Sequence, residues 1–269
     1  MPPQDVILDA QKLIGRLWRE KQSPERARIL ECAGYILSFI SAAGLDYRFE
    51  DFRQSQNRPS PAEQGTPGTA NLRELLARTQ GFFNQLLAAP EASNEQGPLR
   101  IILDAVDYIA STGELEALRE HIRRLGAGAP PRVVAAFGSL GEATAWLERA
   151  PEPPSKALVL IDGRYHQAIY LRDLHHRKVI PWPAMEYYLA ELVQDVAPVA
   201  MASFASHELA EAWLNTQTEP PDRTWVRIAG ELHLAVNHAN VQCRALYPLS
   251  MAAGYAINDE VEPEPPPRE

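Results

Sequence analysis

The chain has 269 residues, of which 45% are hydrophobic and 8% aromatic, a composition typical of a packed core in a chain long enough for two domains. Its most apolar stretch, residues 29–45, contains Glu31 and is shorter than the roughly 20 residues that a membrane-spanning helix needs. Residues 1–30 carry acidic side chains among the apolar ones, unlike a secretory signal. We therefore expect a cytoplasmic protein with no membrane partner.

Part of the net charge of −9 lies at the C-terminal end, where residues 259–269 contain five acidic side chains and one arginine. The rest of the chain has no basic stripe that could neutralise phosphates, so we expect no nucleic-acid partner. The glutamates and prolines of residues 258–269 leave nothing to bury and predict a disordered tail.

The only cysteines, Cys32 and Cys243, offer neither a disulfide framework nor a metal or redox pair. No cofactor is expected.

Residues 1–125 are predicted to form a helical domain of about five helices. Apolar residues recur every three to four positions in the first of these, and they cover most of the circumference of the second, which Ser23 and Pro24 introduce. The polar stretch 54–70 predicts a mobile loop. Ser111 with Glu114 resembles a capping box that would begin a later helix. Residues 126–131, which read GAGAPP, mark the end of this domain.

The remainder of the chain contains a tandem duplication. Residues 133–181 read VVAAFGSLGEATAWLERAPEPPSKALVLIDGRYHQAIYLRDLHHRKVIP, and residues 200–248 read AMASFASHELAEAWLNTQTEPPDRTWVRIAGELHLAVNHANVQCRALYP. They align without a gap at an offset of about 67 residues. The identical pairs include Phe137 with Phe204, Ser139 with Ser206, Trp146 with Trp213, Gly163 with Gly230, His166 with His233, Arg177 with Arg244, and Pro181 with Pro248.

Each copy predicts a strand, a helix, a proline-marked loop, a hairpin and a short third strand. We call residues 132–182 unit 1 and residues 199–250 unit 2, with a connecting helix predicted over 183–198. The fold class is therefore α+β, with a helical domain followed by two repeat units. We expect the units to pack together, because about 50 residues make only a thin core. The gapless alignment at constant offset predicts that the units share one tertiary structure and are related by an approximate symmetry axis.

The pattern of unit 1 also predicts which way its side chains face. Ser139 and Glu142 form a capping box at the start of the helix. Val159 and Ile161 are expected to face inward, and Ile169 on the returning strand is expected to lie on the same face. The helix tryptophans Trp146 and Trp213 are expected to be buried core residues.

Four residues shared by the two copies are candidates for binding. His166 and His233 follow the hairpin turns and are expected on the outward face, where they could form a symmetric site. Arg177 and Arg244 occupy one strand position in both copies and could clamp carboxylates or phosphates, although a structural salt bridge, for example with Asp173, accounts for them equally well.

An enzymatic alternative uses the other histidines. Cys243 with His238 contains the residue types of a thiol hydrolase, and His166 or His233 could act as acid or base. Asp173, His175 and His176 could ligate a metal, but their counterparts in unit 2 are Asn240, Gln242 and Cys243, so no metal is expected.

The duplicated positions are mostly core, turn and cap residues rather than a polar cluster. This favours a noncatalytic protein that binds another protein, such as a toxin-neutralising (immunity-like) protein or a regulatory subunit. The alternative is a small hydrolase or a metal-dependent enzyme that uses the repeat histidines. The two hypotheses differ on whether the hairpin histidines converge in a pocket.

Overall fold

The computed structural model describes residues 3–20, 23–55, 69–89, 95–194 and 197–254. The chain is an α+β protein, with a helical region followed by two four-stranded sheets that each carry a helix. The predicted tail over 258–269, and most of the predicted loop over 54–70, lie outside the described residues. The helices of the first region are α1 Pro3–Trp18, α2 Pro24–Ala42, α3 Asp46–Gln54, α4 Ala70–Ala88, α5 Gln96–Ser111 and α6 Leu115–Gly126.

Helix α2 occupies the centre of the helical region, as the apolar residues around its circumference predict. Helix α3 was not predicted, because its charged sequence DYRFEDFRQ shows only two apolar anchors. These are Phe49 and Phe52, whose rings pack edge-on against Tyr108. The expected capping box at Ser111 is wrong: α5 continues through this residue, and its hydroxyl donates to the carbonyl of Asp107.

The two repeat units have the same topology. Unit 1 contains β1 Ala135–Phe137, α7 Leu140–Arg149, β2 Lys156–Ile161, β3 Arg164–Leu171 and β4 His176–Pro181, and unit 2 contains β5 Ala202–Phe204, α9 His207–Thr216, β6 Arg223–Ile228, β7 Glu231–His238 and β8 Cys243–Pro248. In each unit the first two strands are parallel and the others antiparallel, in sequential order. Every paired residue in one sheet has its counterpart 67 positions along the chain in the other. The shared structure predicted from the gapless alignment is confirmed.

Helix α7 covers one face of its sheet. The hydroxyl of Ser139 accepts from the N–H of Glu142, and the carboxylate of Glu142 accepts from the N–H of Gly138 at 2.9 Å, so the predicted capping box is confirmed. Beneath the helix, a buried cluster joins Ala143, Leu147, Val159, Ile161 and Ala168.

The tryptophans of the repeat helices are less buried than predicted. Trp146 and Trp213 are half-buried, and each packs at the edge of its cluster against the first-strand phenylalanine, with ring centroids 5.3 Å apart. The smaller neighbours Leu147 and Leu214 occupy the covered centre of the two faces.

The prediction of which side chains of β3 lie on the helix-covered face of the sheet is wrong. A two-residue turn, with Asp162 and Gly163 at positive φ, joins β2 and β3 and places His166 directly opposite Val159. Residues that oppose each other across an antiparallel pair share one face. The histidine therefore lies on the helix-covered face, whereas Ile169, opposite Lys156, lies on the other. The same register makes His233 the neighbour of Val226, and it is buried at 7% exposure.

The faces away from α7 and α9 pack on each other and form a further hydrophobic core, in addition to that of the helical region and one in each unit. This core also receives the connecting helix α8, Ala184–Leu192, through Met185 and Leu189. The packing is not a symmetric exchange of equivalent surfaces. Leu160 of unit 1 is fully buried there while its counterpart Arg227 is exposed, so the interface is heterologous rather than two-fold.

The helical region is docked on both units. The carboxylate of Asp51 accepts two hydrogen bonds from the guanidinium of Arg172 in unit 1, at 2.6 and 2.9 Å. The buried Arg124 of α6 pairs with Asp222 of unit 2 at 3.2 Å.

Within the described ranges no single helix is long and apolar enough to cross a membrane. Helices α2 and α3, which meet at a bend of 112°, pass that test of length and composition only as a pair.

Candidate functional site: a groove between the repeat units

A groove of about 920 Å³ runs between the two repeat units. We call it the inter-unit groove. Its walls come from the hairpin turn of unit 1, the segment that leads into α8, strand β8, and the first turn of α9. The lining residues are Asp162 to His166, Pro181 to Pro183, Met185, Glu186, His207, Glu211, Cys243 to Pro248, and Met251.

The hairpin turn of unit 1 is held against β8 by two tyrosines. The hydroxyl of Tyr247 donates to the carbonyl of Gly163 at 2.7 Å, and the rings of Tyr165 and Tyr247 lie 6.0 Å apart. The hydroxyl of Tyr165 donates to the carbonyl of Pro131. Burial raises the pKa of both phenols, so they act as neutral hydrogen-bond donors that fix the floor of the groove.

Apolar and charged side chains occupy different parts of the wall. Trp182 is 39% exposed and adjoins two prolines, with Met185 below it. Across the groove, at the start of α9, the ring of His207 lies 3.4 Å from the carboxylate of Glu211. An exposed aromatic side chain bordered by polar groups is typical of recognition surfaces.

The hairpin histidines do not line this groove together. His166 is half-buried in its wall, with Nδ1 3.1 Å from the carbonyl of Arg164. His233 is buried beside His207, with ring centroids 6.3 Å apart, and is not a lining residue. The heterologous packing of the units explains why equivalent histidines have different surroundings.

Cys243 and His238 are directly opposite each other on β8 and β7, but their chemistry is not that of a catalytic pair. His238 is fully buried, and neither of its ring nitrogens has a hydrogen-bond partner among the described residues. Burial, with a further contribution from Arg124, lowers its pKa to about 3, and burial raises the pKa of the Cys243 thiol. An activated thiol would require the opposite arrangement, a thiolate beside a protonated imidazole.

Arg177 and Arg244 use their hydrogen-bonding groups within the repeat. The guanidinium of Arg244 donates to the carbonyls of Leu214 and Gln217, at 2.6 and 2.9 Å, at the end of α9. The guanidinium of Arg177 donates to the carbonyl of Glu148 at the equivalent end of α7 and lies over the ring of Tyr170. Both arginines therefore satisfy helix C-terminal carbonyls, and Arg177 has no salt bridge with Asp173 among the described residues.

Asp173 and His175 lie in the exposed turn between β3 and β4, and the exposed His176 is the first residue of β4. The positive φ of His175 reverses the chain at this point. No group of three histidine, cysteine or acidic side chains is arranged to hold a metal ion in the part of the chain that the structure describes.

The residues that the two copies share do not indicate the groove. Its floor is built from positions where they differ. Tyr165 corresponds to Leu232, and Tyr247 corresponds to Ile180. Aromatic residues present in one copy alone were the available signal for an unequal interface.

Comparison with family models, with curated proteins and with solved structures finds no match to this chain.

Proposed function

We propose that this chain is a noncatalytic protein that binds a protein partner in the inter-unit groove. The observation that carries the proposal is the groove itself: a volume of about 920 Å³ lined by both units, with Trp182 exposed in its wall. Partly exposed tryptophans in concave, mixed apolar and polar surroundings are the side chains that contribute most to protein interfaces.

The enzymatic alternative has no specific observation in its favour. Cys243 reaches the groove, but the buried neutral His238 beside it cannot stabilise a thiolate. His166 is in the wall without its counterpart His233. We therefore keep binding as the function, in the form of a toxin-neutralising protein or a regulatory subunit that acts in the cytoplasm.

The test places a photocrosslinking residue, p-benzoylphenylalanine, at Trp182 of the full chain in the cells that produce it. The matched control places the same residue at Trp18 on α1, which is similarly exposed at 43% and belongs to the helical region. We expect one protein to be captured from position 182 and not from position 18. Capture of the same proteins from both positions, or of none from position 182, would contradict the proposal.

A further inference from the structure

Among the described residues, the outer backbone edge of strand β8 is unpaired, and the strand lines the inter-unit groove. The residues that flank the two-residue turn between β6 and β7, Ile228 and Glu231, form a hydrogen-bonded pair, and bonding alternates from there along β7. Asn237 follows this alternation, because its N–H donates to Asp222 on the β6 side. The backbone groups of Arg244 and Leu246 therefore point away from β7.

Both residues line the groove, and β8 is the last strand of its sheet among the described residues. An N–H and a C=O from each residue are thus available to a ligand that approaches from the groove.

The other sheet edges are protected in ways that β8 is not. Strands β1 and β5 have three residues each. Strand β4 carries the exposed Lys178, and a charged residue on an edge discourages pairing with another strand. Strand β8 reads CRALYP, with one charged residue whose guanidinium is bound to the end of α9.

We infer that the inter-unit groove accepts an extended segment of the partner polypeptide, which pairs with β8 as an additional strand. The inference rests on the proposed function and specifies the form of its partner. A fifth strand would satisfy the free backbone groups of Arg244 and Leu246, as in other cases of strand addition to an exposed edge. Alternate side chains of the segment would face the apolar wall at Trp182 and the polar start of α9. The preferred partner segment therefore has apolar residues at every second position.

The probe is a set of twelve-residue peptides selected from a random displayed library on the full chain. Amide hydrogen exchange is measured by NMR with and without a selected peptide. We expect the amides of Arg244 and Leu246 to exchange at least about tenfold more slowly in the complex. The neighbouring amides of Ala245 and Tyr247 serve as internal controls, since they already face β7 and change much less.

A chemical variant tests the same bonds without altering a side chain. Cys243 permits ligation of residues 1–242 to a synthetic peptide 243–269 that carries an N-methyl group on Leu246. This removes one outward N–H and leaves the β7–β8 pairing intact. We expect at least about tenfold weaker peptide binding than for the ligated natural chain, at an unchanged melting temperature.

The outcomes distinguish strand addition from binding in the groove by other means. If a peptide binds in a manner that Trp182→Ala weakens, yet Arg244 and Leu246 exchange as before and the N-methyl chain binds normally, strand addition is wrong and the binding function stands. If the library yields no peptide whose binding depends on Trp182, both are wrong.

Discussion

At the scale of single residues, His238 has the most unusual surroundings. Its ring packs edge-on against Tyr165 of unit 1 at 5.7 Å, opposite Cys243 of its own sheet, and near enough to Arg124 of the helical region for that charge to lower its pKa. A histidine so placed stays neutral in the folded state, whereas the unfolded chain takes up a proton below its ordinary pKa of 6.5.

Stability should therefore fall as the pH falls. Because the folded pKa, about 3, lies below the unfolded value, His238 contributes stability above pH 6.5 that is lost progressively toward pH 3. The variant His238→Leu places at this position the residue that unit 1 has at the equivalent position, Leu171. It removes the contribution of His238 to the pH dependence of stability. We expect the wild type to lose about 2 to 3 kcal/mol more than the variant between pH 6 and pH 4, since a difference of one proton is worth about 1.4 kcal/mol per pH unit.

The measurement is urea denaturation at several pH values, and the difference between the two proteins isolates His238 from His121, whose pKa burial also lowers. His166→Leu controls for loss of a half-buried histidine. At pH 7 the His238→Leu chain should be at least as stable as the wild type, because two buried nitrogens without partners are removed. Parallel pH profiles for wild type and His238→Leu would show that the ring is not held neutral in the fold.

At the scale of elements, each repeat helix has a buried leucine next to its largest side chain, a tryptophan. Leu147 is 1% exposed in the cluster under α7, while the neighbouring Trp146 is half-buried at its edge. We expect Leu147→Ala to cost about 2 to 5 kcal/mol, as truncations in a packed core do. Trp146→Ala should cost less, about 1 to 3 kcal/mol, because part of the half-buried indole already contacts water. Chemical denaturation of the two variants gives the order, and a larger loss for the tryptophan variant would contradict the burial described here.

The helices and strands of the repeat could be predicted because the signals for them are local. Ser139 is followed three residues later by a glutamate at a true helix start, whereas Ser111, with the same spacing to Glu114, is the last residue of α5. The wrong prediction of which side chains of β3 face α7 arose at the hairpin. With a two-residue turn, odd-numbered residues of β2 share a face with even-numbered residues of β3. The alternation was visible in the sequence, but its phase depended on the turn length.

At the scale of the whole molecule, the groove could not be predicted because it depends on how two nearly equivalent units are offset. A two-fold contact would have placed Tyr165 of unit 1 and Leu232 of unit 2 in like surroundings. Instead Tyr165 is buried against β8 while Leu232 is half-buried. The residues that the copies share determine their common fold. Only the residues that differ carry information on how the two units are displaced relative to each other in space.

The contact between the helical region and unit 1 is close at one point, which gives a whole-molecule prediction. Gly44 lies at φ +69°, and its carbonyl accepts from the N–H of Ser155. A Cβ at this position would lie 2.4 Å from the Cβ of Pro154 and 3.2 Å from that of Ala157. Gly44→Ala must therefore either strain unit 1 or separate the two regions.

Gly113 is the matched control for backbone strain. It also has a positive φ, +81°, and a Cβ there would meet nothing within 4 Å. Gly113→Ala should cost about 1 to 2 kcal/mol, the penalty for a left-handed alanine alone. Gly44→Ala should cost at least about 2 kcal/mol more, because overpacking is added to the same penalty. Denaturation gives the two losses, and hydrogen exchange in α3 and β2 should rise for Gly44→Ala alone as the contact between the regions opens. Equal losses with unchanged exchange would mean that the helical region is not seated on unit 1 through Gly44.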